Sequence, residues 1–427
     1  MGMKLPASLH EMISLLFAQL LVAAQIVAVD PSPTAEIVRV PSPPAPPPIR
    51  SSAQNVLIQF VPESAKCSDG PLAVSEFFNS SVVFAPIRPA TAPSEVDVTF
   101  RIDENGRPLG IVKSSAGQHF LWTSDVTPSI AASRFDRGKP RFGCTVRYAP
   151  RISEIADVSL SSVFEYSIFP NGGKPRAIFD RLKPEGSTCF NSPPAVLTRA
   201  YPDFAKIPAT PGRPDWSMTQ FDVNASGKPV NLRTVGGSGN DQLDKASRDA
   251  VARSQFAKGA KQGCLYPYWR EAGIIAAPEI PDEDAFKAEN ASCPKKFVWA
   301  TRNPAIYPDR FRKRNIEGWA IIVFDVAPWG NTGNVRIAAA EPSAEFGLAA
   351  EQVVKLRKVE NGGEALTGCV EKVRFVMNPN LPEGTQDSIE NRSPDFWPYP
   401  ANSCVRAKSV NSALQMSLEK IERSAPR

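Results

Sequence analysis

Six of the seven cysteines fall into three pairs of nearly constant separation: Cys67 and Cys144 are 77 residues apart, Cys189 and Cys264 75, and Cys293 and Cys369 76. The second member of each pair follows a glycine, in Phe142-Gly143-Cys144, Gln262-Gly263-Cys264 and Thr367-Gly368-Cys369. Inside each interval the same order of patterns recurs. A strand pattern ends in Phe100-Arg101-Ile102-Asp103, Phe221-Asp222-Val223 or Phe324-Asp325-Val326. A turn follows at Asn105-Gly106, Ser226-Gly227 or 331–333, then a second strand and a helix. The helices are expected at 124–133, 241–255 and 344–359; the middle one carries Leu243, Ala246, Ala250 and Val251 and a basic last turn. The expectation is an α+β fold of three tandem small modules, each strand-strand-helix-strand with a helix packed on an antiparallel sheet.

The N-terminus decides how the cysteines are read. Lys4 precedes an apolar run at 12–29, which is either a secretory signal with Val22-Ala23-Ala24 before the cut or a short membrane anchor. Gln19 and Gln25 weaken a spanning helix. Both readings export the rest of the chain, and in an oxidising compartment spaced cysteine pairs read as disulfides. Closing a loop of this length stabilises by about 4 kcal/mol in the chain-entropy treatment, which matters for a small module with a marginal core. Cys404 is left over, either free or paired with another chain.

The remaining organisation follows from composition. The 427 residues suit two to four domains, and the 42 prolines point to linkers and irregular turns. After the leader (1–29) comes a Pro-rich tether (30–50), whose 18 residues at 31–48 reach about 56 Å as a polyproline helix. The three cysteine-bracketed segments are expected at 51–185, 186–285 and 286–380, and a polar tail at 381–427 ends in a short amphipathic helix with Leu414, Leu418 and Ile421. Within the first segment, 162–180 reads as a β-hairpin around Asn171-Gly172-Gly173 that adds strands to that domain.

The third segment carries further marks: Tyr307-Pro308, Glu317-Gly318, the core Ile322-Val323-Phe324-Asp325-Val326, and Phe346 followed by Ala349-Ala350. On these residues it resembles the C-terminal domain of the TonB family of bacterial energy transducers, over about 75 residues. It departs from the family after the helix, where a Gly-rich loop leads to Gly368-Cys369 instead of an Arg/Trp-rich segment and a proline. Tyr201-Pro202 repeats the first mark before the second segment, and the first segment lacks it. The Pro-rich tether is short beside the longer arm of family transducers. The resemblance implies a small antiparallel sheet whose edge captures an extended segment of an outer-membrane receptor as an added strand, supporting transmembrane transport. Its nearest counterpart is the last strand of the third segment, with Val370, Lys372, Arg374 and Val376 on one face and Glu371, Val373 and Phe375 on the other. Lys372 and Arg374 equally suit charges that protect a free edge from aggregation.

Catalytic chemistry has little to work with. Of two histidines, His10 lies in the leader and His119 in a loop without motif context. The cysteines lack zinc-ligand spacing. Gly236-Gly237-Ser238-Gly239 has no following Lys-Ser/Thr and reads as a plain turn. Asp103, Asp222 and Asp325 leave a core strand for a turn and read as turn formers. The net charge of +5, with no run of five basic residues, gives no support to nucleic-acid binding. The reading is a non-enzymatic, cofactor-free cell-envelope protein that binds a protein or peptide strand. Two roles stay open: a transducer anchored among inner-membrane partners, or a soluble periplasmic or secreted array of disulfide-locked modules.

Overall fold

The computed structural model describes residues 54–377 apart from 88–91, 115–119, 174, 295, 302–305 and 361–362. The expected leader, tether, tail helix, Cys404, His10 and His119 lie outside the described residues. Cys67 is bonded to Cys144, Cys189 to Cys264, and Cys293 to Cys369, in the pairs that the spacing predicts.

Each disulfide brackets a meander of the same kind. In the first segment β1 (Gln54–Pro62), β2 (Lys66–Cys67) and β3 (Val83–Ile87) precede β4 (Val96–Ile102), β5 (Pro108–Lys113), α1 (Val126–Ala132) and β6 (Arg141–Glu154). A helix pair follows, α2 (Leu160–Ile168) and α3 (Arg176–Leu182). The second segment contains β7 (Asp215–Val223), β8 (Pro229–Gly237), α4 (Asp241–Arg253) and β9 (Lys261–Arg270). The third contains α5 (Asp309–Lys313), β10 (Gly318–Val326), β11 (Thr332–Glu341), α6 (Ala344–Lys355) and β12 (Leu366–Phe375). The first-segment helix is thus shorter than the expected 124–133, with a separate turn of helix at Phe120–Thr123 ahead of it.

The register is shared. Phe100, Phe221 and Phe324 sit opposite Cys144, Cys264 and Cys369, and an irregularity in the ladder follows immediately in all three. The glycine before each second cysteine is left-handed: φ is 57° at Gly143, 64° at Gly263 and 67° at Gly368, where other residues are strained. Each turn after the first strand also needs glycine. A Cβ at Gly106, Gly227 or Gly330 would lie 2.0, 2.2 or 2.5 Å from the carbonyl oxygen of Phe135, Phe256 or Val359. In the third segment this glycine is Gly330, just before the expected turn at 331–333.

The alignment of aspartates changes with the register. Asp103 corresponds to Asn224, and both side chains close the turn by accepting backbone N–H groups, from Asn105 and Arg107 and from Ser226 and Lys228 respectively. Asp222 and Asp325 instead accept from the N–H of Gly263 (2.8 Å) and Gly368 (2.9 Å), fixing the approach to the disulfide. Their second oxygens take Asn231 and Asn334, two non-glycine residues with left-handed φ. They are cross-strand clamps more than turn formers. In the first segment Arg101 and Gly110 stand at the corresponding places.

The expected hairpin at 162–180 is helical. Ser159 caps α2 by accepting the Ser162 N–H at 3.2 Å, and Gly172 lies in the link to α3. Phe164, Tyr166 and Ile168 do alternate like a strand, but Val163 and Phe164 are buried side by side, which a strand with one buried face does not allow. Tertiary burial overrides β propensity here. Val163, Phe164 and Ile168 join Leu57 of β1 to Trp216, Met218 and Leu265 on the sheet of the second segment, so the helix pair packs between the two.

A single apolar core runs from the first segment into the third, from Ile58, Phe60 and Val98 to Phe311, Phe346 and Phe375. The contact is also polar. Glu341 at the end of β11 accepts from Arg101 Nη2 and from the Gly110 N–H, both at 2.6 Å, and Ile111 donates its N–H to Pro342 at 2.9 Å. The two positions where the first segment departs from the Asp–Asn clamp are therefore the two that receive the third segment.

Candidate functional site

The last strand of each meander is built alike but flanked differently. In the first segment, Tyr148 of β6 pairs with both Val96 of β4 and Pro62 of β1, and Thr145 pairs with both Thr99 and Lys66. One residue cannot have two ladder partners on one side, so β1 and β2 lie along the outer edge of β6. In the third segment β12 pairs with β10 alone among the described residues, and its outer edge carries no strand. Among the described residues the outer edge of β9 in the second segment carries none either.

The two ends of the β12 edge are anchored by the residues that mark the sequence. At the start, Ser292 and Cys293 both donate backbone N–H groups to the Thr367 carbonyl, beside the disulfide. At the far end Tyr307 donates its hydroxyl to the Ile316 carbonyl at 2.7 Å, and its ring meets Phe375 edge-on at 5.5 Å between centroids. Burial pushes the Tyr307 hydroxyl well above the usual tyrosine range, with the Glu317 carboxylate adding to it, so this group stays a neutral donor. Glu317 accepts the Met377 N–H at 2.8 Å and the Ala277 N–H at 3.3 Å, tying the chain on both sides of the domain to β10. At Gly318 a Cβ would lie 2.7 Å from the Phe346 ring, so glycine lets α6 close onto the sheet.

The candidate edge residues divide by depth. Val373 and Phe375 enter the core beneath α6, as the alternation predicts. Val370, on the opposite face, is covered too: with Trp319, Ile321 and Val323 it packs under Ala277, Ile280 and Phe286 of the preceding linker. The Trp319 indole donates to the Pro278 carbonyl at 3.0 Å and holds that linker down. Lys372 is half-buried and Arg374 exposed, and Val376 falls beyond the strand, which ends at Phe375. The edge therefore offers backbone groups flanked by Lys372 and Arg374, while Val370 is closed off by its own chain. The linker could not be inferred as a cover, because 277–286 has no strong periodicity.

Residues 303–376 match the family model described as Gram-negative bacterial TonB protein C-terminal. This segment is a TonB C-terminal domain. It includes Tyr307, Glu317, Phe346 and the β12 edge, and leaves Cys293 outside. Among solved structures, the solution NMR structure of the Pseudomonas aeruginosa TonB CTD aligns at 15% identity, covering 22% of this chain and 99% of that one, with a TM-score of 0.18. No curated protein matches the chain. The TonB C-terminal domain here is thus one part of a longer chain whose first two segments repeat its order of elements.

Proposed function

We propose that the chain is a non-catalytic cell-envelope protein whose TonB C-terminal domain captures an extended segment of a partner protein on the outer edge of β12. One observation carries the reading. The same edge is filled by β1 and β2 in the first segment and carries no strand, among the described residues, in the third. Strand addition gives affinity through main-chain hydrogen bonds, and Lys372 and Arg374 favour an acidic neighbour on the incoming strand. An outer-membrane receptor is the partner that the family suggests. In this reading the three segments are copies of one module at 51–185, 186–285 and 286–380, exported by the leader and joined to it by the Pro-rich tether. A retained leader gives an inner-membrane transducer. The shared core of the first and third segments also suits a soluble periplasmic array, because it leaves the third module no freedom to extend alone. The test is a photo-cross-linker placed at Arg374 in the native host. An adduct with an outer-membrane protein, absent when the probe sits at exposed Leu348 on α6, supports capture at the edge. Equal adducts from both positions, or none, overturn it.

A further inference from the structure

A cavity of about 1090 Å³ opens where the three segments meet, just above the upper end of the usual size of small-molecule sites. Its aromatic lining includes Phe77 and Phe78 of the first segment, Trp216 and Trp269 of the second, and Tyr307 of the third. Its charged lining is unevenly committed. Arg314 is spent on Asp125, and Arg312 and Lys313 both pair with Asp309. Arg213 is different. Its guanidinium carbon lies 5.3 Å from the Phe78 ring centroid, and its buried Nε has no hydrogen-bond partner among the described residues. The nearest carboxylate oxygen, on Asp215, is 3.7 Å away, and Asp215 is already satisfied by Thr210, Ser238 and Asn240. A guanidinium over an aromatic ring, with its Nε buried without a partner and its one ion pair stretched to 3.7 Å, is prearranged for a carboxylate.

We propose that this cavity binds a small organic acid, with its carboxylate on the Arg213 guanidinium and its apolar body against Phe78 and Trp216. Glu165, on the same cavity wall, does not take the fork, since its carboxylate accepts no hydrogen bond from a described residue. Burial pushes the Glu165 carboxyl up to about 7, against the attraction of Arg314 and Arg213 and with repulsion from Asp125. Near neutrality it is partly protonated, and its repulsion of a bound carboxylate grows as pH rises. This site is separate from the β12 edge and does not depend on strand capture.

The experiment titrates 4-phenylbutyrate, and separately the uncharged 4-phenylbutanamide, into the oxidised full chain by calorimetry. The acid is expected to bind one saturable site, about tenfold or more tighter than the amide. Arg213→Met should weaken the acid about tenfold and leave the amide unchanged, and Arg213→Lys, which keeps charge but loses the fork, should fall between. Binding of the acid should tighten several-fold from about pH 8 to about pH 6. Equal affinity for acid and amide, no saturable binding of the acid up to about 10 mM, or an unaffected Arg213→Met variant overturns the proposal. The comparison of acid with amide needs no variant and holds even if a substitution disturbs the fold.

Discussion

Arg314 of the third segment grips Asp125 of the first through two hydrogen bonds, Nε to Oδ1 at 2.9 Å and Nη2 to Oδ2 at 2.6 Å. Both side chains are buried. The pair is fully satisfied: Asp125 also accepts from the Ser81 N–H and hydroxyl, and Arg314 also donates to the carbonyls of Gly212 and Asn79 and to the Ser129 hydroxyl. One ion pair thus touches all three segments. Such pairs add little net stability over apolar replacements, but removing one partner strands a buried charge.

Asp125→Asn should therefore destabilise the protein by about 3–5 kcal/mol, and Arg314→Met by a similar amount. The double variant should recover part of the loss, giving a coupling energy of at least about 1 kcal/mol in a denaturant-unfolding cycle. Additive losses would mean that the two side chains act independently.

The same pair sets an acid limit. Burial alone would raise the Asp125 carboxyl, but Arg314 and the Ser81 donors overcome it and hold it below the usual range. A carboxylate depressed in the folded state contributes stability above its unfolded value, near 4, and loses it as pH falls through the folded value. Unfolding followed from about pH 5 down to about pH 2 should show a loss in the native chain that is much reduced in Asp125→Asn.

Glu165 has the opposite sign. Its folded value, about 7, lies above the ordinary glutamate value, so ionising it costs stability as pH rises between the two. Glu165→Gln should leave stability unchanged near pH 4 and raise it by about 1–3 kcal/mol at pH 8. A pH-independent difference between the two proteins would refute this assignment.

Each disulfide closes a loop of 75 to 77 residues. Removing the third as Cys293→Ala with Cys369→Ala should cost about 2–5 kcal/mol, read as a lower denaturation midpoint. Intact mass of protein from the native host should be lighter than the fully reduced form by the six hydrogens of three bonds. A mass beginning at Gln25 would favour the soluble array, and a full-length mass in the membrane fraction the transducer.

Gly368→Ala tests the register of the last strand. The position has φ of 67°, and an added Cβ would lie 2.8 Å from the Ala291 Cβ. The expected cost is about 1–2 kcal/mol, and the same change at Gly333, with open space around it, should cost well under half as much. Similar costs at both would remove the steric argument.

Sequence alone determined what is local or repeated. The cysteine spacing carried the three disulfides, the glycines before Cys144, Cys264 and Cys369 marked the repeat, and 317–377 carried the TonB C-terminal pattern. Periodicity placed α4 and α6 because one face of each had to be buried. Tertiary structure decided what covers each face and edge. Alternation in 162–180 suggested strands, and only packing against Trp216 and Leu57 made it helical. Alternation put Val370 on an outer face without showing that Phe286 would lie over it. Nor did it show that β1 would fill the outer edge of β6 while that of β12 carried no strand among the described residues, or that Glu341 would cross to Arg101. A local pattern records that a surface must leave water; the partner that removes it lies tens to hundreds of residues away, and only the folded chain brings the two together.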